Sequence, residues 1–220
     1  MDLDQNLKIN GNNILITKKM TRYEIINKII ESRGFNDYLE IGVRDGQCFK
    51  QIVCKNKTGV DPFPTSEDTT HRITSDEFFE NCDREKKFDI IFIDGLHLEE
   101  QVDKDIANSL EFLKEEGVIV LHDCNPPTLY HAGETPVFTP PANGNWNGTV
   151  YRSLIKLRLY RKDLKLKTVD SDWGVGILTR GESNTLNAFP DEAMTWEWFS
   201  TNRKEVLNLI SPEEFSMEYI

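Results

Sequence analysis

The chain has 220 residues, and 26 Lys and Arg against 37 Asp and Glu give it a formal net charge of −11 at pH 7. This acidic balance argues against non-specific binding to nucleic acid, because Lys and Arg must replace the counterions of the phosphates. It argues equally against an anionic membrane surface as the partner. The length predicts one large domain, or one domain with an appendage.

The sequence predicts a cytoplasmic protein. No apolar run reaches the roughly 18 residues that span a bilayer, and the N-terminal residues lack the basic and apolar regions of a secretory signal. The cysteines lie far apart without a Cys-x-x-Cys pair, which argues against a disulfide framework and a zinc ribbon. We therefore expect reduced thiols at Cys48, Cys54, Cys82 and Cys124.

The first predicted helix follows an N-terminal arm, residues 1–20, that is polar apart from residues 14–16. Apolar residues recur at helical spacing between Thr21 and Arg33. Thr21 and Glu24 have the spacing of a capping box, and Gly34 is typical of a helix end.

Short apolar strands then alternate with helices. Such strands form parallel sheets that are covered on both faces. The pattern predicts an α/β fold with a doubly wound, mostly parallel sheet, in which ligands bind at the carboxyl ends of the strands. The predicted strands are 37–41, 57–60, 88–93 and 117–121, and the predicted helices are 46–55, 75–81 and 98–115.

The periodicity stops in residues 124–148, which hold Pro126, Pro127, Pro136, Pro140 and Pro141. A loop of this length in a compact domain is usually functional or disordered. A helix is predicted next, at 149–161, and then a terminal antiparallel hairpin of strands 164–169 and 173–179.

The chain is thus expected to divide into the arm, a domain of residues 21–189 and a C-terminal helical tail of residues 190–220. The tail has a helix-like run at 204–210, and it either caps the sheet or contacts a partner.

The run from Glu40 to Gly46 follows a predicted strand and opens a helix. Gly42 lets the chain turn tightly beneath a ligand, and Gly46 lets the helix begin close to it. Asp61 ends the next strand, at the spacing that suits the ribose hydroxyls of an adenosine cofactor. Arg44 stands where a dinucleotide fingerprint has its middle glycine. The Glu40 carboxylate would repel a pyrophosphate but would suit a cationic donor, and S-adenosylmethionine is such a donor.

With these motifs, and with Phe88–Asp94, residues 34–180 resemble the class I S-adenosylmethionine-dependent methyltransferases. The runs Asp94-Gly95-Leu96-His97 and Leu121-His122-Asp123-Cys124 resemble, more narrowly, bacterial small-molecule O-methyltransferases of the catechol and antibiotic-sugar types. The resemblance implies that Gly42 holds the methionine part, that Asp61 holds the ribose and that Thr74, Ser75 or Asp76 lies near the adenine. The predicted cofactor-binding residues are Glu40, Gly42, Gly46, Asp61, Ser75, Asp76 and Asp94.

A second group of candidates follows two strands and should meet at one edge of the sheet: Asp94, His97, His122 and Asp123. One interpretation is a divalent metal site of Asp94, His122 and Asp123. The carboxylates suit Mg²⁺, and the imidazole favours Mn²⁺, Fe²⁺ or Zn²⁺. The other is metal-free, with His97 or His122 as the general base that a carboxylate such as Asp94 orients. The Asp-Asn pair of the metal-dependent catechol-type enzymes is absent.

The long loop is expected to lie over this edge. Its aromatic residues, Tyr130, His131, Phe138 and Trp146, either form a substrate lid or anchor the loop itself. Seven basic residues follow between Arg152 and Lys167. They form either a solvated helix face or a contact for an anionic acceptor or an acidic neighbouring subunit.

These patterns predict a cytoplasmic S-adenosylmethionine-dependent O-methyltransferase that acts on a small hydroxylated acceptor, with a saccharide as one candidate. A divalent metal, Mg²⁺ or Mn²⁺, or a histidine would take part in removing the acceptor's proton. Two alternatives stay open, a nicotinamide-dependent oxidoreductase on a similar fold and a nucleoside-binding module without catalysis. We expect no nucleic acid or membrane as a partner, and homo-oligomer formation stays open.

Overall fold

The structure is a computed structural model that describes residues 6–10, 13–17, 19–188 and 190–219. The predicted arm contains two strands, β1 (Asn6–Asn10) and β2 (Asn13–Thr17), which pair antiparallel. Residues 1–5, 11–12 and 18 of the arm lie outside the described residues. The division of the chain at residues 20 and 189 stays a prediction.

A seven-stranded sheet forms the centre of the molecule, in the order β4-β3-β5-β6-β8-β7-β9. Strands β4, β3, β5 and β6 run parallel, whereas β8 lies antiparallel between β6 and β7. The predicted doubly wound sheet with its terminal antiparallel hairpin is thereby confirmed. The strands are β3 (Asp37–Ile41), β4 (Asn56–Val60), β5 (Phe88–Ile93), β6 (Leu113–Leu121), β7 (Leu164–Val169), β8 (Val175–Arg180) and β9 (Leu209–Ile210).

Helices cover both faces of this sheet. Successive side chains of a strand point to opposite faces; accordingly, in β5, Ile90 and Phe92 pack in one core cluster while Ile91 and Ile93 pack in the other. The helices are α1 (Arg22–Arg33), α2 (Gln47–Gln51), α3 (Ser75–Asn81), α4 (Glu99–Phe112), α5 (Val150–Tyr160), α6 (Pro190–Ala193), α7 (Trp196–Val206) and α8 (Pro212–Glu218). None of the helices in the described part of the chain has the length and apolar character that crossing a membrane requires.

The sequence predicted the ends of α1 correctly. Thr21 and Glu24 form a complete capping box, and Gly34 adopts a left-handed conformation with φ 64° after the last turn. The cap places Arg22 at the first position of the helix.

Two helices are shorter than predicted. Helix α2 ends at Gln51, because Ile52 is extended and the Lys57 ammonium donates to the Phe49 and Ile52 carbonyls at 2.8 and 3.2 Å. Helix α4 ends at Phe112 rather than at residue 115, and β6 begins at Leu113. The Lys114 ammonium lies 3.0 Å from Asp89 of β5, which draws this segment to the sheet.

The tail extends the sheet as well as covering it. Its helix α7 covers 196–206 rather than the predicted 204–210, and Leu209 and Ile210 form β9, which pairs parallel to β7. The Asn208 amide donates to the Leu166 carbonyl of β7 at 3.0 Å. Phe215 of α8 is fully buried in the core cluster that includes the isoleucines of α1.

Candidate functional site

The turn after β3 packs against the end of β5. Gly42 has φ 93°, and a Cβ atom at this position would lie 2.1 Å from the Asp94 carbonyl oxygen. The Gly42 N–H donates to the Val60 carbonyl at the end of β4, at 2.8 Å. Only glycine fits here, so the turn is fixed against the ends of two strands.

Asp61 is bound to the same turn. Arg44 has φ 48° and Gly46 has φ 77°, so the turn has the left-handed positions that glycine favours even where Arg44 replaces glycine. The Arg44 N–H donates to Asp61 Oδ2 and the Phe63 N–H donates to Asp61 Oδ1, both at 2.8 Å. The structure therefore brings together the predicted residues Gly42, Gly46 and Asp61.

The Glu40 side chain lies in the interior, a placement that the sequence did not predict. It is 1% exposed and accepts a hydrogen bond from the Tyr38 hydroxyl. Burial, reinforced by Asp94, raises the pKa of Glu40 to about 8 against the opposing effect of Tyr38. Glu40 is therefore mainly a neutral acid at pH 7, and a direct ion pair with a cationic donor stays a prediction.

Ser75 and Asp76 begin α3 and contact α4. The Gln101 amide of α4 donates to Ser75 Oγ at 3.2 Å and to Asp76 Oδ1 at 3.0 Å. These contacts fix Ser75 and Asp76 against α4 and do not test their predicted place near an adenine ring, which stays a prediction.

A cavity of about 450 Å³ opens beside the turn, between the first residues of α1 and helix α2. Asp45, Gln47 and Lys50 line one side, and Arg22 and Asp172 line the other.

Asp94, at the end of β5, lies at the centre of a cluster of charged groups. Its Oδ1 atom lies 3.2 Å from His122 Nδ1 and 3.3 Å from His97 Nε2, and its Oδ2 atom lies 3.6 Å from Arg22 Nε. The structure thus joins the predicted catalytic residues His97, His122 and Asp94.

Asp123 completes the contact between the two histidines. It has φ 57°, and its Oδ2 atom lies 3.1 Å from His122 Nδ1 and 3.4 Å from His97 Nδ1. Its Oδ1 atom accepts a hydrogen bond from Asn147 Nδ2 at 2.8 Å.

Sequence reasoning missed three members of this cluster: Arg22, Asp172 and Asn147. Arg22 Nη1 lies 3.2 Å from His122 Nε2 and 3.3 Å from both oxygens of Asp172. The Arg22 N–H also donates to Asp172 Oδ2 at 2.7 Å. Asp172 lies between the two strands of the predicted hairpin, which was the signal available for it, and no local pattern marked Arg22.

The charges in the cluster shift the pKa values of its members. Burial would lower the pKa of both histidines, but Asp94 and Asp123 outweigh burial and raise the pKa of His97 and His122. Burial would raise the pKa of Asp94, but the histidines outweigh it and lower the pKa. With neutral histidines, the carboxylates of Asp94, Asp123 and Asp172 exceed the charge of Arg22 by two. Two protons or one divalent cation would balance that charge.

Three residues of the cluster fit a metal ion. Asp94, His97 and Asp123 each offer one ligand atom, and these atoms lie within 4.8 Å of one another. Two carboxylates and an imidazole suit Mg²⁺ or Mn²⁺. The set contains His97 where the sequence-based prediction has His122.

The long loop covers this edge of the sheet. The Trp146 ring lies 5.3 Å from the His97 ring, and Trp146 Nε1 donates to the Gly133 carbonyl within the loop at 2.7 Å. Tyr130 and Phe138 are 52% and 78% exposed. His131 is buried and its ring lies 5.7 Å from that of Trp173. Trp146 and His131 therefore anchor the loop, whereas a role of Tyr130 and Phe138 in a substrate lid stays a prediction.

Acidic neighbours engage much of the basic patch. Lys156 lies 2.5 Å from Asp103, Arg161 lies 2.6 Å from Asp163, and Lys167 of β7 lies 2.5 Å from Glu218. These pairs favour the solvated-face interpretation over a site for an anionic acceptor.

Comparison with known proteins gives a family model and solved structures. Residues 39–124 match the model described as a methyltransferase domain, whereas no curated protein matches the chain. A Staphylococcus aureus protein, provisionally named a caffeoyl-CoA O-methyltransferase, is 20% identical with a TM-score of 0.54, over 75% of this chain and 86% of that chain.

Two further structures were solved with a nucleoside bound. The S-adenosylhomocysteine-bound methyltransferase PaMTH1 from Podospora anserina is 13% identical with a TM-score of 0.54, over 73% of this chain and 78% of that chain. The O-methyltransferase TomG from Streptomyces achromogenes, in complex with S-adenosylmethionine, is 12% identical with a TM-score of 0.51, over 72% of this chain and 79% of that chain. At these identities the structures establish a shared fold.

Proposed function

We propose that this chain, whose residues 39–124 match a methyltransferase domain, is a class I S-adenosylmethionine-dependent methyltransferase that methylates the oxygen of a small hydroxylated acceptor. The observation that carries this proposal is the packing of the Gly42 turn on Asp94, beside a cluster that can take up a proton. The donor site and the base then meet at one edge of the sheet.

The donor lies across the carboxyl ends of β3, β4 and β5. Gly42 and Gly46 allow its close approach to the backbone, and Asp61 accepts hydrogen bonds from the ribose hydroxyls. The cavity of about 450 Å³ beside Asp45 and Arg22 takes the methionine end. Phe63 and Leu96, which are 89% and 52% exposed, offer apolar surface to the adenine.

The transfer needs no covalent intermediate on the protein. The acceptor oxygen forms a bond to the methyl carbon while the sulfur–methyl bond breaks, and its electron pair returns to the sulfur. The products are the methylated acceptor and S-adenosylhomocysteine. The protein contributes by aligning the two reactants and by removing the hydroxyl proton.

His97 is the better candidate for the base, because its side chain is 20% exposed whereas that of His122 is 5% exposed. The Trp146 carbonyl accepts a hydrogen bond from His97 Nδ1 at 3.0 Å, and the other neighbour of Nδ1 is a carboxylate. Both neighbours are acceptors, so Nδ1 carries a proton and Nε2 is the atom that takes the proton of the hydroxyl. Asp94 Oδ1 lies 3.3 Å from Nε2 and stabilises the imidazolium that results.

A divalent cation is the second way to activate the hydroxyl. When bound, such an ion lowers the pKa of the hydroxyl and orients it. Asp94, His97 and Asp123 would hold it, and the excess of carboxylates over guanidinium groups in the cluster supports this assignment.

The acceptor class and the cell compartment rest on fewer observations. Exposed Tyr130 and half-exposed Trp173 offer faces on which a sugar ring stacks, which supports a saccharide. The four cysteines are free, in keeping with a reducing cytoplasm.

Calorimetric titration with S-adenosylhomocysteine tests the donor site. We expect binding to the wild type and, for Asp61→Ala, a loss of at least about tenfold in affinity, because charge-assisted hydrogen bonds to the ribose disappear. The control is Asp163→Ala, which removes a carboxylate that pairs with Arg161 at 2.6 Å, between α5 and β7 and outside the donor site. No heat with the wild type, or an equal loss in both variants, would contradict the donor site, and heat with NADH instead would favour an oxidoreductase.

A panel of catechols, sugars and nucleotide-linked sugars, assayed for methyl transfer, then tests the reaction. Methylated product from any hydroxylated compound supports it. Binding of S-adenosylhomocysteine without turnover across the panel would favour a binding module.

A further inference from the structure

Four residues at the end of the long loop, Trp146 to Thr149, contact the cluster of Asp94, His97, His122 and Asp123, which we call the reaction cluster. We name these four residues the latch. The Thr149 N–H donates to the His97 carbonyl at 2.8 Å, and a Cβ atom on Gly148 would lie 1.9 Å from the same oxygen. The latch therefore lies directly against the backbone of His97.

Asn147 is the buried centre of the latch. It is 0% exposed, and its N–H donates to the His131 carbonyl at 3.0 Å. Its side-chain Nδ2 donates to Asp123 Oδ1 at 2.8 Å and to the Trp173 carbonyl at 3.4 Å. Both partners are acceptors, so the orientation of the amide is fixed.

That orientation leaves Asn147 Oδ1 buried without a hydrogen-bond partner. A buried polar atom in this condition costs about 1–3 kcal/mol. An apolar residue of similar size would avoid this cost. The presence of an amide here therefore indicates that its hydrogen bond to Asp123 has a role beyond stability.

Asn147 fixes the rotation of the Asp123 carboxylate. One oxygen accepts the hydrogen bond of the amide at 2.8 Å, so the other oxygen lies 3.1 Å from His122 Nδ1 and 3.4 Å from His97 Nδ1. We propose that Asn147 is a positioning residue for methyl transfer, which acts through Asp123 and supplies a part of the reaction cluster from the long loop.

A role in methyl transfer rests on the proposed function, but the effect of Asn147 on the geometry of Asp123 can be tested on the ligand-free protein. We would record the ring ¹⁵N signals of the four histidines in the ligand-free chain, with assignment by single His→Gln variants. In Asn147→Ala, and in Asn147→Ser as a second variant, we expect the His97 and His122 signals to shift because Asp123 turns. His71 serves as an internal reference, since it bonds Thr70 Oγ1 at the sheet edge.

Asn145→Ala is the matched control. Asn145 belongs to the same loop, but its side chain donates to the Ala142 carbonyl within the loop. We expect this variant to leave all ring signals unchanged. Unchanged His97 and His122 signals in both Asn147 variants would overturn the proposal, and so would equal shifts in Asn145→Ala.

Affinity for S-adenosylhomocysteine separates this proposal from the proposed function. The hydrogen bonds of Asn147 among the described residues go to Asp123, Trp173 and His131 and not to the Gly42 turn or Asp61, so the Asn147 variants should bind within about twofold of the wild type. With an acceptor from the panel, the variants should lower kcat and leave KM for the donor unchanged. Failure of the wild type to bind S-adenosylhomocysteine would contradict the donor site, but it would not affect the conclusion from the histidine signals.

Discussion

At the scale of single residues, Gly42 determines the geometry of the donor site. Its positive φ and its approach to the Asp94 carbonyl occur together, so a side chain there would meet strain and a backbone clash at once. A clash with backbone is costly because the neighbouring atoms are the main chain of Asp94 and Gly95 at the end of β5 and cannot move aside.

Gly42→Ala should destabilise the fold by roughly 3 kcal/mol or more, combining left-handed strain with overpacking. Gly34→Ala is the control: Gly34 also has φ 64°, but a Cβ atom there would have nothing within 4 Å. We expect it to cost only the strain, about 1–2 kcal/mol. Urea unfolding measures both, and equal costs would show that the close approach to Asp94 does not exist.

The residues that sequence reasoning missed share a physical reason. Arg22 and Asp172 meet across 150 positions of the chain, and Asn147 reaches Asp123 from the far end of a loop without periodicity. Local patterns identify strand ends such as Asp94 and Asp123, because a strand and its end are adjacent in the chain. They carry no information on which distant side chain packs there.

At the scale of elements, α4 carries a charged residue on its buried face. Asp105 is 1% exposed; it accepts a hydrogen bond from Gln101 at 3.1 Å, while its Oδ2 atom has no partner. Burial raises the pKa of Asp105 to about 6, in spite of the opposing effect of Ser75. Folding therefore favours the protonated form of Asp105 relative to the unfolded chain.

Because its folded pKa exceeds the unfolded value of about 3.9, Asp105 destabilises the fold increasingly as the pH rises from 4 to beyond 6. We expect the stability of the wild type relative to Asp105→Asn to fall by about 2–3 kcal/mol between pH 4 and pH 7. Urea unfolding at both pH values measures this.

Asp103→Asn is the control on the same helix, since Asp103 is partly exposed and pairs with Lys156. A relative stability of Asp105→Asn that stays constant with pH would contradict the raised pKa.

Elements were predictable where their causes are local. The apolar run of β5 and the capping box of α1 each lie within a few residues of the chain, and the bounds of β5 and the start of α1 were predicted correctly. The start of β6 depends on Lys114 reaching Asp89 of another strand, and β9 depends on the position of β7. Such tertiary contacts moved the boundaries that the periodicity alone had placed elsewhere.

At the scale of the whole molecule, the charge cluster joins the ends of β5 and β6, the first residue of α1, the turn after β7 and the long loop. A metal ion bound there would tie these elements together and oppose unfolding by mass action. The ligand set found in the structure and the set predicted from the sequence differ in one histidine, so variants can distinguish them.

We expect Mn²⁺ at a hundredfold excess over its Kd to stabilise the wild type by about 2.7 kcal/mol, measured by thermal unfolding with and without EDTA. Asp123→Asn and His97→Gln should lose this response, whereas His122→Gln should keep it. Loss only in His122→Gln would support the sequence-based ligand set, and a response that survives in Asp123→Asn would place the ion elsewhere.

The short edge strand β9 also affects whether separate molecules can associate through their sheets. It pairs with β7 only at Thr168 and Val169, and the Asn208 amide occupies the Leu166 carbonyl. Lys165 and Lys167 flank this margin. A strand of a second molecule could pair at this edge only if the ammonium groups of these lysines lost their hydration. Charged side chains at sheet edges disfavour aggregation in this way. Lys165 and Lys167 thus make this edge of the sheet unfavourable for the addition of a strand from another molecule.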